Sequence, residues 1–148
     1  MQKSENKFKE LVCSLFTKYA TKKQLPYKII KHNDPTNIGM ADLEILMSLY
    51  KPVFAELKHV TYPISYRGNI LKHPFSEKQI SFLKQITKCS VIGIGIIGVE
   101  EVERSTDIYI VHPANLKTNF TLKELKEWDM QSISLTDYSY LNKILQRD

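Results

Sequence analysis

Glu56-Leu57-Lys58 closes a hydrophobic run that begins at Val53, and Asp42 lies fourteen residues upstream in Gly39-Met40-Ala41-Asp42. Two carboxylates and a lysine so spaced are the groups that metal-dependent phosphodiester cleavage uses. In a strand, residues i and i+2 share a face, so Glu56 and Lys58 would point into one pocket while Leu57 points back into the core. Asp42, at the start of the preceding strand, reaches the same pocket if the two strands pair. Hydrolysis requires charge to be neutralised on the non-bridging oxygens and a water to be made nucleophilic near neutral pH, and a divalent cation does both. Mg²⁺ takes hard oxygen ligands, commonly one or two carboxylates plus a substrate phosphate. Asp42 and Glu56 are the candidate carboxylates, with the Leu57 backbone carbonyl as a further ligand. Lys58 would orient or help deprotonate the attacking water and steady the developing negative charge.

Glu-x-Lys alone carries no information, because alternating charges on a solvated strand produce it often. Here it interrupts an apolar run, and buried charges without partners or metal are costly. Each candidate also has a plainer reading. Asp42 could cap a turn after Gly39, and Glu44, on the same strand face, is a rival ligand. Gln79 could contact the site, but Ser76-x-x-Gln79 is also a capping box. His59 points away from Lys58 and reads as structural, and His32, His73 and His112 have no metal spacing. Gly93-x-Gly95-x-x-Gly98 falls inside an apolar strand with no helix after it, so it reads as room for a helix against the sheet and not as a dinucleotide fingerprint.

Several elements must position these groups. Phe8, Leu11, Val12, Leu15, Phe16 and Tyr19 fall at helical spacing and predict an amphipathic helix over about 4–22, with Ser4 as its N-cap. Tyr27 to Lys31 reads as a strand, and 32–38 as a turn. Leu43 to Leu49 and Val53 to Val60 read as a hairpin joined by Tyr50-Lys51-Pro52. Thr61 to Phe75 reads as a long loop, in which Tyr66, Arg67 and Lys72, with Lys78 beyond it, are candidates for nucleic-acid contact. A helix follows from Ser76 to about Lys88, then a strand over 91–99 buried on both faces, a turn, and a strand over 107–112. Two C-terminal helices complete the chain, the first capped by Thr121 with Glu124 and containing Trp128 as a packing residue, the second over about 136–146. The order is α-β-β-β-α-β-β followed by helices.

At 148 residues the chain reads as one domain, 1–148, large enough to bury a core without staples. Its 43% hydrophobic and 25% charged residues are those of an ordinary globular protein. A surplus of 21 Lys+Arg over 16 Asp+Glu, net +5, is compatible with a nucleic-acid partner without requiring one. Cys13 and Cys89 lack metal-ligand spacing and read as two buried thiols in a reducing compartment. The charged segment Met1 to Lys7 does not resemble a signal peptide, and no apolar run approaches membrane-spanning length, so a cytoplasmic location is expected.

Gly39-x-x-Asp42 followed by Glu56-x-Lys58, behind a helix carrying Glu5, resembles the PD-(D/E)XK nuclease superfamily. Ser76-x-x-Gln79-x-x-Phe82-Leu83, opening a helix after a loop, resembles the VRR-NUC branch and its phage relatives, near the Holliday-junction resolvases. The resemblance covers about 3–116; the helical extension, about 117–148, lies outside it. One departure is Ala41, where the family usually has proline before the first acid. The resemblance implies an α/β restriction-endonuclease-like core, a mixed central sheet flanked by helices. It implies Mg²⁺ or Mn²⁺, no small-molecule cofactor, Gln79 hydrogen-bonded to the water or a metal ligand, and Glu5, in preference to Glu10, as an additional acid. The implied partner is branched, flapped or Holliday-junction DNA, in a phage replication, repair or recombination setting and in the host cytoplasm if phage-encoded. A homodimer is also implied, since a four-way junction needs two cuts. The competing readings are a DNA-binding module whose catalysis is dispensable, and a small restriction-type or RNA-cleaving nuclease.

Overall fold

The computed structural model describes residues 3–32, 41–62, 70–71, 75–101, 106–118, 120–133 and 141. Helix α1 (Lys3–Lys22) buries Phe8, Val12, Phe16 and Ala20, a stripe at i+4 spacing. It begins one residue before Ser4, so Ser4 is not its N-cap. Its other end is a Schellman motif. Gln24 takes φ 56, Gln24 N–H donates to the Thr21 carbonyl, and Leu25 N–H donates to the Ala20 carbonyl.

The strands β1 (Tyr27–Lys31), β2 (Leu43–Met47), β3 (Val53–Tyr62), β5 (Ile92–Glu101) and β6 (Thr106–Val111) form one mixed sheet in the order β1-β2-β3-β5-β6. β1 and β2 pair antiparallel, as do β2 and β3 with Leu43 opposite Ala55, which is the expected hairpin. β3 and β5 run parallel from Val53 beside Ile92 to Tyr62 beside Glu101. A parallel pair needs a crossover, and the chain between these strands supplies it with α2 (Glu77–Thr87). β6 returns antiparallel to β5.

Helices cover both faces of the sheet. Phe8, Val12 and Phe16 of α1 pack on Leu43, Ile45, Ala55, Leu57, Ile94, Ile96 and Ile110. On the other face Leu83 of α2 and Leu125 and Trp128 of α3 (Leu122–Ile133) pack with Val60, Ile97, Val99 and Val111. Residues 92–99 of β5 are accordingly buried throughout. α3 carries the expected cap. Thr121 Oγ1 accepts from Glu124 N–H at 3.1 Å, and Glu124 Oε1 accepts from Thr121 N–H at 3.1 Å.

Two further expectations are corrected, and a third lies outside the described residues. The segment 61–75 is not all loop: β3 continues to Tyr62, and Ile70–Leu71 form β4, which pairs with β7 (Phe120–Thr121) in a separate two-stranded ladder. Isolated two-residue strands carry no periodicity, so composition could not reveal them. Cys89 is exposed, because it lies in the turn after α2 and not on the apolar strand beyond it, while Cys13 is half-buried on α1. The second C-terminal helix lies outside the described residues apart from Leu141, which is buried in the α1 core.

The glycines of β5 do make room for helices, on opposite faces. A Cβ on Gly93 would stand 2.9 Å from the Leu83 carbonyl of α2, and one on Gly98 would overlap the Phe8 ring of α1. Gly98→Ala must therefore push the Phe8 ring off the sheet. Urea denaturation is expected to show a loss of about 1–3 kcal/mol, whereas an unchanged midpoint would mean that Phe8 is not seated there.

Candidate active site

The β2–β3 register carries the site. Leu43 pairs with Ala55, so one step further along the antiparallel ladder Asp42 stands opposite Glu56. Strand alternation sends Leu57 into the α1 core and leaves Glu56 and Lys58 on the α2 face. The expected convergence of Asp42, Glu56 and Lys58 occurs.

Asp42 holds the backbone as well as carrying charge. Its Oδ2 accepts from Leu57 N–H at 2.9 Å. β2 has ended by then, so this carboxylate takes the place of the next ladder bond. In an antiparallel pair the N–H and C=O of one residue point to the same side. The Leu57 carbonyl therefore turns towards Asp42, as a ligand carbonyl would need to.

Glu56 is 2% exposed. Its Oε1 accepts from Gln79 Nε2 at 2.8 Å, and among the described residues its buried Oε2 finds no donor. Burial above all, then the hydrogen bond and the charge of Asp42, push its carboxyl from the ordinary 4.5 up to about 10. The charges of Lys58 and Lys9 pull the other way. With both acids ionised, the Asp42–Glu56 contact is a repulsion; it becomes a hydrogen bond only when the two share a proton. A divalent cation would serve the same pair in place of that proton, and the orphaned Oε2 is the atom it would satisfy. Two carboxylates and a carbonyl are hard oxygen donors, suited to Mg²⁺ or Mn²⁺. Among the described residues no cluster of three or more His, Cys, Asp or Glu side chains gathers, so the donor set is spare.

Gln79 fulfils both of its readings at once. Ser76 Oγ accepts from Gln79 N–H at 3.1 Å and Gln79 Oε1 accepts from Ser76 N–H at 2.8 Å, completing the capping box. The amide nitrogen is left to reach Glu56. Gln79→Glu keeps the box but sets a third carboxylate against Glu56. At pH 8 in EDTA it is expected to melt lower than Gln79→Ala, which loses only about 1 kcal/mol of capping. Equal melting would show that the Glu56 contact is not made in solution.

Lys58 is half-buried, with its Nζ 5.9 Å from the Phe75 ring centroid. The rivals separate cleanly. Glu44 shares the face but engages His32 Nε2 at 2.6 Å, and Glu10 is exposed. His59 packs on Phe8, ring centroids 5.5 Å apart, on the far side of the sheet. Lys78 is exposed on α2. Tyr66, Arg67, Lys72 and the Glu5 side chain lie outside the described residues.

Two contributors escaped the sequence reading. Lys9, only 7% exposed, comes from α1, and its charge acts on Glu56. The signal was a lysine set between Phe8 and Val12 on the buried stripe. Phe75, fully buried, ended a segment that read as loop. Gly95, read above as room for a helix, lies beside Glu56 in the parallel register and makes room for other side chains instead. A Cβ there would stand 3.2 Å from Leu116 and 3.3 Å from Phe75.

No family model matches the chain, and no curated protein matches it. Among solved structures it is similar to Archaeoglobus fulgidus Hjc, described as a Holliday junction resolvase from an archaeal hyperthermophile. The TM-score is 0.46 at 9% identity, over 80% of this chain and 91% of that one. Among the described residues no helix is long and apolar enough to cross a membrane.

Proposed function

We propose that this chain is a divalent-metal-dependent DNA endonuclease of the PD-(D/E)XK type, akin to the VRR-NUC and Holliday-junction-resolvase-like enzymes. The single observation that carries the reading is Glu56: a buried acid, clamped on one oxygen by Gln79, orphaned on the other, and pressed against Asp42. A fold does not keep such a pair for stability, because facing carboxylates in a buried site oppose folding.

A Mg²⁺ or Mn²⁺ ion held by Asp42, Glu56 and the Leu57 carbonyl would neutralise phosphate charge and acidify a bound water. The chain's own groups do the rest. Gln79 fixes one Glu56 oxygen and so aims the other. Asp42 ties its orientation to the Leu57 N–H, which makes the spacing of the two acids a property of the backbone. Lys58, braced on Phe75, presents an ammonium beside the acids, where it steadies charge developing on the phosphate or orients the water. Lys9 adds positive charge from the other side of β3.

The favoured substrate is branched, flapped or junction DNA, bound by a homodimer, as the sequence resemblance implies; backbone contacts carry shape and not base identity. A panel of duplex, flapped, four-way-junction and RNA substrates with Mg²⁺ or Mn²⁺ tests this. Wild type is expected to cut branched DNA, with the activity lost in EDTA and in Glu56→Ala and Lys58→Ala. Equal cleavage by wild type and both variants would remove the site assignment. Binding without any metal-dependent cutting would favour a DNA-binding module instead.

A further inference from the structure

A groove of about 450 Å³ runs along the exposed face of α2, between that helix and the segment Leu116 to Thr118. Resting on the nuclease reading above, we propose that it is a backbone site for a duplex arm of the DNA beside the strand being cut.

The lining has the chemistry of a phosphate track. Lys84, in the last turn of α2, and Lys88, its C-cap, sit one turn apart, about 6 Å between their Cβ atoms. Neither has a carboxylate partner among the described residues. Ser81, Gln85 and Thr118 add a hydroxyl, an amide and a second hydroxyl, the neutral groups that contact phosphate and sugar. Lys117 closes the far wall, but its charge is shared with Glu124 at 2.6 Å. Glu77, the opposing acid in the groove, is seven residues from Lys84, at the end of α2 nearest the catalytic pair. Positive charge therefore accumulates away from the metal ligands, where substrate phosphates beyond the cut would lie.

The groove is joined to the site by one shared side chain. Its apolar floor includes Leu116, whose side chain fills the space left by Gly95, the register neighbour of Glu56. Gln79 touches Glu56 from the first turn of α2, and Lys88 lies nine residues on, about 13.5 Å along the axis. One helix thus serves the reacting phosphate at one end and the flanking backbone at the other.

The test is binding of fluorescent four-way-junction DNA in EDTA, across a salt series. It compares wild type, K84E/K88E, and K18E/K22E as a control on exposed α1 positions, with circular dichroism as the check on folding. K84E/K88E is expected to bind at least tenfold more weakly, with a salt slope shallower by about two, and the control to bind like wild type. The proposal is overturned by an unchanged affinity and slope in K84E/K88E, by an equal loss in the control, or by a wild type that does not bind DNA. Cleavage by wild type with Mg²⁺ is scored separately. Binding that depends on Lys84 and Lys88 without cleavage leaves the groove standing and removes the nuclease, whereas cleavage with groove-independent binding does the reverse.

Discussion

Glu56→Gln is expected to abolish cleavage while raising the melting temperature of the metal-free protein. The amide keeps the shape and still accepts from Gln79 Nε2, but it faces Asp42 uncharged without having to take up a proton. The activity loss should be roughly 10³-fold or more, since an ion-holding carboxylate supplies several kcal/mol of transition-state stabilisation. The stability gain should be about 1–3 kcal/mol, or roughly 3–10 °C. Its pH dependence fixes the cause. The Glu56 carboxyl is raised from 4.5 to about 10 in the folded chain. Between those values the folded state binds the extra proton, so metal-free wild type loses stability as pH rises through that window. Glu56→Gln should lack this slope, and the gap between the two should widen from pH 5 to pH 9. Adding Mg²⁺ should raise the melting temperature of wild type and leave that of Glu56→Gln unmoved. A variant that melts lower than wild type at every pH would mean that Glu56 is a structural acid.

Asp42→Asn and Asp42→Ala are expected to part company. Both remove the charge, and both should reduce cleavage by roughly 10³-fold. Asn retains an oxygen for the Leu57 N–H; Ala does not, and leaves that backbone donor without its partner. Asp42→Ala should therefore be less stable than Asp42→Asn by about 1–3 kcal/mol, read from urea denaturation in EDTA. Equal stability would show that the Asp42–Leu57 bond holds nothing together, and with it would go the claim that the backbone sets the spacing of the acids.

The elements that carry the site were legible because their signals are periodic. Strand alternation at Glu56 and Lys58 assigned the face, the Tyr50 to Pro52 turn assigned the hairpin, and register then delivered Asp42. The capping box at Ser76 and Gln79 located the start of α2 to the residue. What could not be read was long-range. Nothing in the sequence says that β5 lies parallel beside β3, that Gly95 hollows the sheet next to Glu56, or that the charge of Lys9, on a helix packed against the other face, acts on Glu56. Those facts depend on packing between segments far apart in the chain. Gln79 shows a different limit: capping and site contact looked like alternatives, yet one amide has a donor and an acceptor and meets both demands. Cys89 marks a third: α2 ends at Thr87, within a residue of the expected end, yet the thiol in the turn beyond it is exposed, because burial of a connecting residue is set by what packs over it.

β2 stops at Leu43 while β3 continues to Tyr62, so among the described residues the far half of β3 is hydrogen-bonded on one side only. Exposed strand edges invite pairing with other chains and are kept safe by charge or by covering. Asp42 guards the point where this edge begins, occupying the first N–H that an incoming strand would seek. The same carboxylate that would grip an ion thus also occupies the first bond an added strand would make, so one side chain would answer to solubility and to catalysis alike.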